Sequence, residues 1–437
     1  MENIKPSRTL NSHSTIVSIV ILGLMFFTFG FISWVNAILI PYFKIACELT
    51  NFQSYLVAFA FYISYLVMSM PSSYLLKKVG YKNGIVIGFW ILALGALIFV
   101  PAAYGRTYGV FLLGLFTLGT GLALLQTVAN LYITLIGDVE RAAQRISIMG
   151  ICNKGAGILA PLAFSWAVLR PTDQALFLTI PTLGDSERAL VLDELILRVV
   201  TPYTVLAIIL LLIGLAIKFS PLPEVQTQQP ENKITSNKGG LLHYPHLVLG
   251  AIAIFLHVGT QVVAIDTVIG YAGTMGLTLL EAKSLPSYTL TATIIGYILG
   301  IVIIPRFVKQ RNMLQICAVL GLSLSLLVCL VYGEVTWFDK RLDISIWFLV
   351  LIGLPNALIW AGIWPLALAD LGEHAKQGSA LLIMGLCGNA IIPLIYGGIA
   401  DVTNEKTAYW VLVPCFLYIV YYAFWGANLR SWTNKQK

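Results

Sequence analysis

The sequence predicts an all-α membrane protein of twelve transmembrane helices arranged as two pseudo-symmetric six-helix bundles. Three observations point there. Of the 437 residues, 58% are hydrophobic and 11% are charged, whereas soluble domains carry about a quarter charged residues. The apolar residues fall in runs of about 20, long enough for a helix to cross the hydrocarbon with its backbone polar groups paired internally. A motif in the first half of the chain also recurs in the second.

The apolar runs lie near 17–40, 55–76, 85–103, 109–135, 146–169, 199–217, 247–272, 287–304, 314–332, 345–369, 379–400 and 407–429. The first has no small-residue cleavage site, so it reads as a first membrane helix and not a signal peptide. An even number of crossings puts both termini on one side. Lys77, Lys78, Lys82, Arg141, Arg145, Arg306, Lys309 and Arg311 crowd the alternate loops on that side, which makes it cytoplasmic. The opposite loops are short except 170–198, an expected amphipathic excursion outside the membrane. Between residues 219 and 245 the chain turns to Pro, Gln, Asn, Ser and Gly without apolar periodicity. This stretch is the expected cytoplasmic linker between bundles at 1–218 and 246–437.

The formal charge of +7 belongs to these short loops, so it reads as a topology signal, and no nucleic-acid partner is expected. The six cysteines form no CxxC and no zinc-like spacing with histidine, so neither a metal nor a cofactor is expected. The expected surroundings are a lipid bilayer, with the chain a monomer in the bacterial plasma (inner) membrane.

The internal repeat is specific. Ile148-Met149-Gly150-Ile151-Cys152 returns as Ile383-Met384-Gly385-Leu386-Cys387, and Gly137-Asp138 before it returns as Gly372-Glu373 at the same offset. Helices four and five therefore match helices ten and eleven. A parallel six-plus-six repeat is the plan of a carrier whose solute site lies between the halves near the midplane. No catalytic constellation or soluble sensor accompanies it, so an enzyme or receptor is not expected.

Polar side chains inside such spans are costly, about 3 kcal/mol for a centred charge, and tend to face a cavity or a partner. On helix four, Gln126, Asn130 and Thr134 share one face, and on helix ten Asn356, Trp360 and Trp364 do the same. The first stripe offers amides for hydroxyl groups and the second a flat apolar surface, a combination that suits a pyranose. Asn36 on helix one and Gln261 on helix seven extend the candidate site. Asp266 is the one carboxylate placed well inside a span, a candidate coupling group. Lys154, about two turns into helix five beside Asn153, is either a ligand or coupling group or a structural cation. His257 reads as a packing residue. The basic segments Lys77–Lys82 and Arg306–Arg311 stand at equivalent places, where Asp138, Glu140, Asp370 and Glu373 are candidate gate partners.

Phe26-Phe27-Thr28-Phe29-Gly30-Phe31, Asn36-Ala37-Ile38-Leu39-Ile40-Pro41, Leu49-Thr50-Asn51-Phe52-Gln53, Gln126-Thr127-Val128-Ala129-Asn130 and Ile148–Lys154, together with Ile363-Trp364-Pro365-Leu366-Ala367-Leu368, resemble the fucose permease family of sugar:proton symporters. The resemblance is greatest to its glucose/galactose transporter branch within the major facilitator superfamily. It implies import of a neutral small-molecule sugar by alternating access, with sugar contacts at Gln126, Asn130 and Asn153 and near Asn36. It also implies a coupling ion, H+ or Na+. The family's protonatable positions in helices one and four are occupied here by Ala37 and Gln126, so coupling is expected to run through Asp266, with Lys154 as its counter-charge. The alternatives are a carrier of an anionic or amino-sugar solute held by Lys154, or a multidrug exporter of the same fold.

Overall fold

A computed structural model of the chain describes residues 12–135, 142–220, 241–304, 306–337, 340–371 and 375–432. The linker stretch 221–240 and the candidate gate residues Asp138, Glu140 and Glu373 lie outside the described residues, as do the side chains of Asn130, Thr134 and Lys77.

Twelve helices among the described residues are long and apolar enough to cross a membrane. They are Val20–Ala46, Asn51–Met68, Tyr81–Tyr104, Tyr108–Ala129, Met149–Val168, Asp185–Phe219, Pro245–Asp266, Leu279–Ile303, Gln310–Leu330, Ser345–Leu368, Leu381–Val402 and Glu405–Asn428. They are called the first to twelfth spans here. Each agrees with an expected apolar run, the sixth through its second helix, Val200–Phe219, since Asp185–Leu197 before it belongs to the excursion; the ends of the spans follow local chemistry. The second span begins where Thr50 and Gln53 form a reciprocal capping box, satisfying two backbone N–H groups at the helix start. Its helix runs to Val79 and stops at Gly80, whose φ of 81° lies in the left-handed region open to glycine.

Several spans are interrupted. The first breaks at Val35, between helical segments Ser12–Trp34 and Asn36–Ala46. The seventh breaks at Thr267 before a short continuation, Val268–Thr274. The eleventh tightens into a 3-10 turn at Gly385–Cys387, inside the repeated motif. The breaks change the direction of the helix without giving up its hydrogen bonding: the Val35 N–H still reaches the Phe31 carbonyl and the Thr267 N–H the Val263 carbonyl, each at 3.2 Å.

The excursion at 169–199 folds as two helices, Asp173–Thr179 and Asp185–Leu197. It is pinned by buried Asp173, which accepts from the Arg170 backbone N–H at 2.8 Å and pairs with Arg198 at 2.6 Å. On the same face, a feature the sequence did not suggest appears: strands Glu334–Trp337 and Lys340–Asp343 form an antiparallel hairpin. Asp343 at its foot accepts from the Ser345 N–H and pairs with Lys406 at 2.9 Å. Burial works against its charge, but these partners hold the carboxyl below its usual range.

The repeat seen in sequence is a repeat of helix crossings. A Cβ on Gly30 of the first span would lie 1.9 Å from the Asn153 carbonyl oxygen of the fifth, and one on Gly388 of the eleventh would lie 1.8 Å from the Phe255 carbonyl oxygen of the seventh. Asn153 and Gly388 each follow the cysteine of the repeated motif. The same crossing is therefore built twice, with the glycine on opposite partners. Close approach of this kind replaces the hydrophobic driving force that lipid denies to helix pairs.

Gly30→Ala is expected to destabilise the purified protein by about 1–3 kcal/mol through overpacking against backbone. Gly155→Ala, where a Cβ meets nothing within 4 Å, serves as the control. Thermal unfolding in detergent checks this, and equal melting temperatures for the two variants would show that the first and fifth spans separate freely.

Candidate functional site

Residues beside the breaks in the first and eleventh spans, Trp34 and Leu386, border a cavity of about 90 Å³ between the two bundles. From the first half it is lined by Ser33, Trp34, Tyr62, Tyr65, Gln126 and Asn153, and from the second by Gln261, Leu386 and Asn389. Amides from four spans and two phenols thus face one space. The Asn153 amide is held in place: its oxygen accepts from the Trp34 indole N–H at 3.4 Å, and its nitrogen donates to the Phe26 carbonyl at 3.3 Å. The Tyr62 and Tyr65 rings stack at 6.3 Å. The buried side-chain oxygen of Asn389 has no protein partner, an acceptor left for a solute or water.

Of the residues expected in the site, the structure brings together Gln126, Asn153 and Gln261. Asn36 and Asn356 are fully buried outside this cavity, and their side-chain amides have no partner. Trp360 and Trp364 do not line it either; they stack on each other, with ring centroids 5.2 Å apart. Asn130 lies outside the described side chains. Trp34, Tyr62, Tyr65 and Asn389 line the cavity together, a grouping that sequence periodicity does not reveal because it depends on where the first and eleventh spans bend.

Asp266 and Lys154 also part company. Asp266 is buried, both carboxylate oxygens lack a hydrogen-bond partner, and it borders a second cavity of about 10 Å³. Apart from Gly270, the other walls of that cavity come from the first half: Ile40, Pro41, Lys44, Asn51, Ser54 and Tyr55. Lys154 is buried too, yet forms no ion pair among the described residues. Its ammonium sits over the Trp34 ring, 4.1 Å from the centroid. The expected pairing of Lys154 with Asp266 is therefore not made in this conformation.

Around the smaller cavity the two halves are sealed on the face that carries the excursion. Asp401 of the eleventh span accepts the backbone N–H groups of Asn51 and Phe52, each at 2.7 Å. A carboxylate from one half thereby caps the second-span helix of the other, where unpaired N–H groups and the helix dipole favour negative charge. Lys44 pairs with Glu405 at 3.4 Å and donates to Asn51. Tyr55 packs edge-on against Tyr396 at 5.5 Å. Between the fifth and eighth spans, Ser287 donates to the Ile158 carbonyl at 2.8 Å. On the opposite face Asp370 pairs with Arg430 at 2.9 Å, both within the second half.

A model of the Major Facilitator Superfamily matches residues 22–396. The chain is 32% identical over 412 residues to a glucose/galactose transporter of Brucella abortus, covering 93% of each protein. It is 28% identical to the L-fucose-proton symporter of Escherichia coli, covering 97% of this chain and 95% of that one. The crystal structure of FucP, a transporter of this superfamily caught in the outward conformation, superposes with a TM-score of 0.69 at 27% identity, covering 94% of this chain and 98% of the other. The chain belongs to the major facilitator superfamily, in the group that includes glucose/galactose transporters and fucose-proton symporters.

Asp401→Ala leaves two helix-end N–H groups uncapped and is expected to weaken the seal by about 0.5–2 kcal/mol. In a Cys47→Ser background carrying Ser54→Cys, labelling by a membrane-impermeant thiol reagent should rise several-fold. Unchanged labelling would show that Asp401 does not hold the seam.

Proposed function

We propose that this chain imports a neutral hexose of the glucose/galactose type by alternating access, as a proton symporter. The observation that carries the reading is the cavity at the seam, lined by Gln126, Asn153, Gln261, Asn389 and two tyrosines. Amides and phenols of this kind match the donors and acceptors of a sugar's hydroxyls, and the relatives named above are sugar transporters. With the excursion face outside, as loop charge implies, the sealed seam corresponds to a carrier closed to the exterior. The reading places both termini in the cytoplasm of a bacterium and the chain in its inner membrane as a monomer. A multidrug exporter would suit an apolar aromatic cavity, which this is not. An anionic sugar would need a cation on the wall, and Lys154 instead covers a tryptophan face.

Asp266 is the proposed coupling group. It lies in the second half, walled largely by residues of the first, so parting the seam hydrates it and closing the seam strips its water. A carboxyl that alternates in this way changes its proton occupancy with the gate. Lys44 on the wall of the same small cavity argues for a proton over sodium, because a metal ion there would face a fixed ammonium.

Counterflow of labelled glucose, galactose and fucose in proteoliposomes tests the reading without requiring a coupling ion; absence of exchange with all three would overturn it. Gln126→Ala and Gln261→Ala should each weaken sugar affinity by about 0.5–1.5 kcal/mol, the usual net value of a hydrogen bond, measured as the half-saturating concentration for exchange. Asp266→Asn should abolish accumulation against a gradient while sparing exchange, because exchange needs no release of the ion. Full accumulation by Asp266→Asn would place coupling elsewhere.

A further inference from the structure

Trp34 combines three features that the transport reading leaves unused. It lines the central cavity and is otherwise buried. Its ring is fixed from the fifth span at three points: the Lys154 ammonium lies 4.1 Å from its centroid, the Asn153 amide oxygen accepts its N–H at 3.4 Å, and Gly157 leaves room for its edge. A Cβ on Gly157 would come within 2.4 Å of the indole Cδ1. Lys154, which has no carboxylate partner among the described residues, thus has the indole face as its charge partner, an attraction that strengthens away from water. A ring fixed by a cation, a hydrogen bond and a glycine notch loses little freedom when something stacks on it.

We infer that Trp34, clamped by Lys154, is the flat platform on which the C–H face of the transported pyranose rests, while the surrounding amides take its hydroxyls. This rests on the sugar-transport reading and deepens it. The stacking role moves from the tryptophan pair of the tenth span, which is turned on itself, to the break in the first. Lys154 is a positioning residue in this arrangement: it sets the ring and does not touch the sugar. A cation already held against the indole also makes the site unsuited to a second one, so amino sugars should be poor substrates.

The test is counterflow of galactose, glucose and glucosamine by the reconstituted full-length carrier and its variants, with melting temperature measured alongside. Trp34→Ala should raise the half-saturating concentration for the neutral hexoses about three- to tenfold, and Trp34→Phe, which keeps a flat ring, should lose less. Lys154→Met should cost about two- to fivefold and relax discrimination against glucosamine, and Lys154→Arg should restore most of the loss, because guanidinium stacks on indole as ammonium does. Unchanged affinity in both Trp34 variants, or equal losses in Lys154→Met and Lys154→Arg at unchanged melting temperature, would overturn the inference. If Trp34→Ala does not fold, Trp34→Phe and the two Lys154 variants decide it. A wild-type carrier that exchanges none of the neutral hexoses would overturn the transport reading itself, an outcome distinct from variants that match an active wild type.

Discussion

Hydrocarbon offers no hydrogen bonds, and the arrangement of this protein follows from that constraint. Backbone groups close on themselves in twelve helices. Polar side chains that cannot do the same collect where lipid does not reach, along the seam between two bundles. Exposed residues on the outward faces are largely aliphatic and aromatic, among them Leu94, Leu97, Ile208, Leu212, Ile298 and Ile301. The amides and tyrosines that line the cavity, and Asp266, lie inside. The place where the two halves meet is therefore also the place where chemistry is available, and one movement can alter both.

Duplication supplies the frame, and departures from it supply the site. The crossing of the first and fifth spans at Gly30 has its counterpart at Gly388, but Asn153 stands where the second half has glycine. One half thus contributes an amide to the cavity at a position where the other contributes only closeness. The eleventh span answers one residue later with Asn389. A strictly symmetric pair of bundles would present the same groups twice to a solute that has no such symmetry.

Much of the fold was legible in the sequence because the signals are local. Run length gave the spans, the motif around Cys152 and Cys387 gave the repeat, and charged loops gave the excursion, whose helices follow Asp173 and Asp185. The site was legible in part. Gln126, Asn153 and Gln261 could be found as polar residues in apolar runs. Trp34 could not, because a tryptophan near the end of an apolar run looks the same in an interfacial belt as in a bent span. The surroundings of Lys154 and Asp266 were hidden for a related reason: Lys154 is buried against the first span and Asp266 against the other bundle, and distance along the chain carries no record of that. The hairpin at 334–343 was missed because two four-residue strands with charged ends resemble any polar loop.

The seal on the excursion face has a further meaning for the transport cycle. Asp401 completes the backbone hydrogen bonding at the start of a helix belonging to the other bundle. When the bundles part there, the freed amides and carboxylate must be met at once by solvent, since neither tolerates an empty neighbour. Water from that side is then a reagent of the opening step, taken up as the halves separate and expelled as they rejoin. Hydration of one helix end is thereby tied to the parting of the two bundles.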